Sequence, residues 1–243
     1  MAKLSSWLRV SAVAGALLFA TPTFAAADPA APPARPVSAL APGVGLGNYD
    51  AAGNPGGGCT AGFLAHGAAG QPVMISAGHC DYGGEVDIKW SKTGAYEKIG
   101  AYSSSIIQGD RIEDTDIGLV RLDASPIPSD LRVLGIRPVT GVTSDVKPGD
   151  QLCHYGDTTG LQCGPVIKVT ESKVIYAAKS AKGDSGGPVY LRNSDGTATA
   201  VGIHVGHEAN GAFAELVKPW LEKWQLTLDT PRPGPQVNPI GYR

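Results

Sequence analysis

From Gly56 to His204 the apolar residues come in short runs, at 73–77, 85–90, 98–102, 117–122, 166–169, 174–178, 188–191 and 198–204, separated by glycine, aspartate and serine. None is long enough for a stable helix, and the residues between them are turn formers. In Glu85-Val86-Asp87-Ile88-Lys89-Trp90 polar and apolar side chains alternate, which gives a strand one wet face and one core face. The 33 glycines and 19 prolines work against long helices, and 42% hydrophobic residues supply a sizeable core. The pattern predicts an all-β chain of barrel type, with no repeat at a solenoid or propeller period. One segment departs from it. Phe213, Leu216, Val217, Trp220, Leu221 and Trp224 recur at spacings of three and four, so an amphipathic helix is expected over 212–225, with Pro219 in its first turns and both tryptophans packing on the body.

Three blocks carry the chemistry. Ala181-Lys182-Gly183-Asp184-Ser185-Gly186-Gly187-Pro188 surrounds a serine with glycines, which let the backbone turn its N–H groups toward one point; Gly183 and Ser185 are the expected donors of an oxyanion hole. A serine hydroxyl needs a base and a carboxylate to orient that base. Ile75-Ser76-Ala77-Gly78-His79-Cys80 offers His79, and Asp114-Thr115-Asp116-Ile117-Gly118-Leu119-Val120 offers Asp116. His66, His154, His204 and His207 compete with His79, but only His79 adjoins a cysteine able to anchor its loop. Asp114 rivals Asp116 from the same face of an extended segment; Asp116 is favoured because Ile117 and Leu119 would fix it at the start of a strand, leaving Asp114 solvated.

With GDSGGP, AGHC and D-I-x-L-V in the same chain order, the sequence resembles the chymotrypsin-like serine proteases over roughly Gly56 to Trp224. Cys153-His154-Tyr155-Gly156-Asp157-Thr158-Thr159-Gly160-Leu161-Gln162-Cys163-Gly164 resembles the disulfide-closed hairpin of the secreted bacterial branch. The resemblance implies two antiparallel Greek-key β-barrels packed at a seam, with a C-terminal α-helix. It implies a His79–Asp116–Ser185 triad acting on a polypeptide substrate, without cofactor or metal. Cysteine number alone allows three pairings; the resemblance selects Cys59 with Cys80 and Cys153 with Cys163. Zinc is the competing use of the cysteines, but their spacings match no zinc pattern.

The resemblance also exposes departures. In the bacterial branch the inward carboxylate at Asp184 pairs with an arginine just after the first cysteine of the second-barrel disulfide, a place held here by His154. Either protonated His154 pairs with Asp184, making the oxyanion hole pH-sensitive, or another group such as Arg137 does. Lys179 falls at the base of the primary pocket in many relatives and Lys182 near its mouth, while Gly202-Ile203-His204-Val205-Gly206 resembles a stretch of the glutamyl endopeptidases whose histidine binds an acidic side chain. Lys179, Lys182 and His204 would then select Glu or Asp on the acyl side of the cut bond. The competing expectation has His204 in the core and both lysines in water. Val205 stands where the substrate-binding edge usually carries serine.

Residues 1–27 read as a signal peptide, with Lys3 and Arg9 before an apolar run and Ala25-Ala26-Ala27 at the cut; the run is short for a retained membrane anchor, and none is expected. Residues 28–43 read as a Pro/Ala-rich arm or short propeptide, 44–230 as the protease domain with its barrels meeting near 125–134, and 231–243 as a loose tail. The product would be secreted to the extracellular space or cell envelope, and monomeric. A net charge of -2 implies no nucleic-acid surface. The alternative to a protease is a catalytically silent relative that binds peptides or cell-envelope partners in the same cleft.

Overall fold

The structure, a computed structural model, describes residues 37–109 and 113–231, all within one compact unit spanning Ala31–Arg243. The expected signal peptide, residues 28–36 of the expected arm and all but Pro231 of the expected tail lie outside the described residues.

Seven strands build the first part: β1 (Gly45–Asp50), β2 (Pro55–Thr60), β3 (Leu64–His66), β4 (Pro72–Ser76), β5 (Gly83–Lys89), β6 (Tyr96–Ile107) and β7 (Asp116–Leu122). They pair antiparallel in the order β3-β4-β7-β6-β5-β1-β2. The outermost strands, β2 and β3, are consecutive in the chain and three residues apart, so the sheet has to curl round on itself. Ala61–Phe63 completes the circuit, with Ala61 N–H donating to Val44 O at 2.8 Å and Ile75 N–H to Phe63 O at 2.9 Å. In β5 the expected alternation is realised: Val86 and Ile88 are buried while Glu85 and Asp87 are not.

The second part holds β8 (Arg132–Val133), β9 (Arg137–Val142), β10 (Gln151–Gly156), β11 (Gly160–Val169), β12 (Lys173–Tyr176), β13 (Pro188–Arg192), β14 (Ala198–Glu208) and β15 (Gly211–Leu216). Their order is β13-β10-β11-β12-β15-β14-β9-β8, and β13 also pairs with β14, which closes six strands into a barrel. The chain thus has an all-β fold of two β-barrels, the second filled by apolar residues that include Leu152, Val174, Val189, Val201 and Leu216. Both disulfides implied by the family resemblance are formed, Cys59–Cys80 and Cys153–Cys163, the latter across paired residues of the β10–β11 hairpin.

Two expectations need correction. Helix α1 is confined to Lys218–Lys223, and the first part of the segment expected to be helical is β15. In 211–216 the apolar residues satisfy a period of two as well: Ala212, Ala214 and Leu216 are buried, and β15 has strands on both sides to take its backbone groups. Pro219 sits in the first turn of α1, where its missing N–H costs nothing. The Pro/Ala-rich arm also stops short of residue 43. Val37, Leu40 and Ala41 are buried, and Val37 and Leu40 exchange backbone hydrogen bonds with Lys89, Ser91, Pro128 and Asp130, so 37–43 is part of the body. After α1, the short strand β16 (Thr227–Leu228) adds to β3 and seats the end of the described chain.

Candidate active site

His79 lies in a 3₁₀ turn, Gly78–Cys80, directly after β4, and Asp116 is the first residue of β7. Strands β4 and β7 are neighbours, with Ser76 opposite Gly118, so the ladder itself delivers the two side chains to one end of the sheet. Asp116 Oδ1 accepts the backbone N–H of His79 at 3.0 Å, and Oδ2 lies 2.5 Å from His79 Nδ1. The close approach requires a small neighbour: a Cβ on Gly78 would meet Ile106 O at 2.8 Å and Asp116 Oδ1 at 3.1 Å. With Nδ1 committed to the carboxylate, Nε2 is the nitrogen left to react. His79 is 37% exposed, enough for a substrate to reach it.

Ser185 stands in the turn before β13, where Gly183 and Gly186 adopt φ of +98° and +87°. A Cβ on Gly186 would lie 2.2 Å from Ser76 Oγ and 2.4 Å from Thr60 O, so glycine is required there by space as well as by conformation. The turn is held from both sides. Thr60 N–H donates to Ser185 O at 2.7 Å, Thr60 Oγ1 to Gly183 O at 2.7 Å, and Gly186 N–H to His204 O at 2.7 Å. Asp184 N–H and Gly187 N–H are used within the turn, whereas no acceptor among the described residues takes the N–H of Gly183 or Ser185. Cys80 Sγ lies 3.8 Å from Ser185 O, which brings the serine loop against the residue next to His79. His79 and Ser185 share these neighbours without a direct hydrogen bond, a contact that commonly tightens only when substrate binds. Cys59, His79 and Cys80 have the spacing of a metal site, but the two sulfurs are bonded to each other and offer no thiolate.

Asp184 is fully buried and takes neutral partners. Thr158 N–H and Thr159 N–H donate to its Oδ1 at 3.1 and 3.0 Å; Thr159 Oγ1 and Ala181 N–H donate to its Oδ2 at 2.7 and 2.9 Å. Both groups named from the sequence are displaced from this role. Arg137 donates to Asn193 O and Thr197 O, and His154 Nε2 stays 3.9 Å away with no hydrogen-bond partner. Burial lowers the His154 pKa to about 4 against the opposing pull of Asp184, so the ring is neutral at neutral pH. The hairpin motif supplies the answer in its Thr-Thr pair.

His154 belongs to a buried chain of polar groups. Tyr176 Oη reaches His154 Nδ1 at 2.9 Å and His204 Nδ1 at 3.2 Å, the two imidazoles stack 4.6 Å apart, and Ser180 Oγ lies 2.6 Å from His204 Nε2. Burial also lowers the His204 pKa, and the neighbouring His154 acts in the same direction. Lys179 and Lys182 are exposed. Of the three pocket residues expected from sequence, only His204 points into the interior, and Ser180, which the sequence reading passed over, stands at its outer end.

No family model matches the chain. An uncharacterised protein of Mycobacterium tuberculosis is 34% identical over 153 residues, 60% of this chain and 66% of that protein, so just under two thirds of the relative's length is spanned. Among solved structures, the Nocardiopsis protease NAPase is 27% identical with a TM-score of 0.59, covering 79% of this chain and 99% of that one. A glutamic acid specific serine protease that utilises a histidine triad in substrate binding is 23% identical with a TM-score of 0.57 over 78% of this chain and 100% of its own; it shares the fold. The chain is similar in fold and sequence to bacterial chymotrypsin-like serine proteases, among them NAPase and an alpha-lytic protease homologue that is 25% identical with a TM-score of 0.57.

Proposed function

We propose that the protein is a secreted serine endopeptidase that cuts peptide bonds through an acyl-enzyme on Ser185, and that it favours Glu or Asp on the acyl side. The observation that carries this reading is the 2.5 Å contact between His79 Nδ1 and Asp116 Oδ2, which leaves Nε2 as the basic nitrogen. Nε2 takes the Ser185 proton as Oγ adds to the carbonyl carbon, Asp116 stabilises the imidazolium, and the proton passes to the leaving amine; water then repeats the cycle on the ester. The unclaimed N–H groups of Gly183 and Ser185 receive the oxygen of each tetrahedral intermediate, where one donor is worth about 2.7–4 kcal/mol of barrier. Two disulfides, and the signal peptide expected from the sequence of residues 1–27, support export.

His204, in contact with Ser180, supports the acidic preference, while Lys179 and Lys182 are exposed. If Tyr176 donates to His154, His204 carries its proton on Nδ1 and its Nε2 accepts from Ser180, which presents no donor to a substrate. A substrate carboxylate arriving at Ser180 reverses this: His204 takes up a proton, Nε2–H donates to Ser180 Oγ, and the Ser180 hydroxyl donates to the carboxylate.

The test uses the mature chain. A fluorophosphonate is expected to label Ser185, with labelling abolished by His79→Ala; a folded protein that never labels would instead favour a peptide-binding cleft without catalysis. Cleavage sites mapped in an unfolded substrate are expected after Glu and Asp, and cuts directed to basic residues would remove the acidic pocket from the proposal.

A further inference from the structure

Lys173 and Glu215 are charged yet only 1% and 0% exposed, and neither belongs to the triad. They stand directly opposite each other on β12 and β15 of the second barrel and form an ion pair. Each also reaches across to the first barrel. Lys173 Nζ donates to Asp114 O at 2.7 Å, and Glu215 Oε2 accepts the backbone N–H of Asp116 at 3.3 Å. The other oxygen, Glu215 Oε1, accepts Trp220 Nε1–H at 2.9 Å.

A buried ion pair is a weak source of stability, because an apolar pair of similar volume commonly does as well. Its placement suggests a different use. Asp116 must direct one carboxylate oxygen at the His79 N–H and the other at Nδ1, a requirement that fixes the backbone as well as the side chain. Asp116 lies at the very start of β7, beyond the β4 pairing, which begins at Gly118. Strand β6 supports one edge of this segment, with Ile107 paired to Asp116, but β4 does not reach the other edge, where the second barrel makes the contacts at Asp114 and Asp116.

We infer that Lys173 and Glu215 are positioning residues for Asp116: their ion pair, held in the second barrel, clamps the segment on which the proposed triad carboxylate stands, so that the docking of one barrel on the other sets the His79–Asp116 hydrogen bond. The inference rests on the proposed triad. Neither residue touches Ser185 or His79.

Two variants separate positioning from stability. Lys173→Met with Glu215→Gln removes both charges but keeps an oxygen for the Asp116 N–H; Lys173→Met with Glu215→Leu removes the acceptor as well. The first is expected to lower kcat about threefold and the second tenfold or more, with KM held within about twofold in each, because a misplaced triad group costs rate even where substrate binding survives. In a Ser185→Ala background, the far-downfield proton resonance of His79 Nδ1–H is expected to shift modestly in the first variant and to move strongly upfield in the second. Parental kcat and an unmoved resonance in the first variant would overturn the inference even if the apolar pair does not fold; parental values in a folded second variant would do the same. The resonance reports on the His79–Asp116 contact whether or not the enzyme turns over. Failure of the parent to react with a fluorophosphonate would therefore count against the triad, and an unmoved resonance against the clamp.

Discussion

The two barrels each contribute histidine to the site, under opposite conditions. His79, from the first, is 37% exposed and has a carboxylate at 2.5 Å; His154, from the second, is fully buried and its nearest carboxylate is 3.9 Å away. Asp116 spends both oxygens on His79, whereas Asp184 spends both on threonine and alanine donors and has nothing left for His154. On the proposed mechanism, the ring held by a committed carboxylate is the one that moves the proton. A buried ring without such a partner stays neutral and works as a wedge or a relay. On the proposed function, what separates the base from the bystander is therefore whether the neighbouring aspartate is already engaged elsewhere.

The largest change should come from breaking the first arrangement. Asp116→Asn replaces the acceptor by an amide whose N–H₂ donates to Nδ1, forcing the ring proton onto Nε2, which then faces Ser185 as a donor. A fall of about 10⁴-fold in kcat is expected, with little loss of fold stability. Steady-state rates together with thermal denaturation would check it, and a fall below a hundredfold would mean that Asp116 does not set the tautomer.

The second arrangement predicts acid lability. The His154 pKa is about 4 in the folded protein and 6.5 in an ordinary environment, so the unfolded chain binds the proton first as pH drops. Its favourable contribution is complete above the ordinary value and is lost as pH falls from about 6.5 to about 4, a total of about 3 kcal/mol, since each unit is worth 1.36 kcal/mol. His204 is shifted the same way and adds to the loss. Denaturant midpoints across this window would show the decline, and His154→Phe should shallow it without abolishing it. An unchanged slope in that variant would mean that His154 is not the group being protonated.

Much of this was legible beforehand, for identifiable reasons. All eight short apolar runs overlap strands, because burial on one sheet face leaves a local signature. The His79 and Ser185 blocks stand out because the chemistry proposed for them demands particular residues side by side in the chain. The failures have a common cause. At 211–216 a helical spacing picks out Phe213 and Leu216 and a period of two picks out Ala212, Ala214 and Leu216, and only the partners β12 and β14 decide between them. Strand β2 is Pro55-Gly56-Gly57-Gly58-Cys59-Thr60, with no apolar alternation to read. Lys173 and Glu215 look like surface charges one at a time; each is tolerable inside only because the other stands across the ladder. The partners of Asp184 include the two threonines of the C-x-x-G-x-T-T-G motif, and nothing local in that motif shows which distant carboxylate they meet.

The smallest expected effect sharpens the comparison most, because it asks whether the buried histidines do anything during turnover. Ser180→Ala removes the hydroxyl at the end of the Tyr176–His204 chain while leaving His79 and Asp116 alone. On the proposed reading, kcat/KM for a Glu peptide should fall about tenfold relative to its Gln counterpart, roughly the 1.4 kcal/mol expected of one hydrogen bond to a charged group, and the loss should appear in KM. The pH dependence gives a second handle. His204 is neutral in the free protein, so engaging a substrate carboxylate draws in a proton; KM for the Glu peptide should rise with pH between 6 and 8, roughly the range around the unperturbed histidine pKa, while KM for the Gln peptide stays level. Parallel profiles for the two peptides would leave His204 as a core residue like His154, and would confine proton traffic in this molecule to His79.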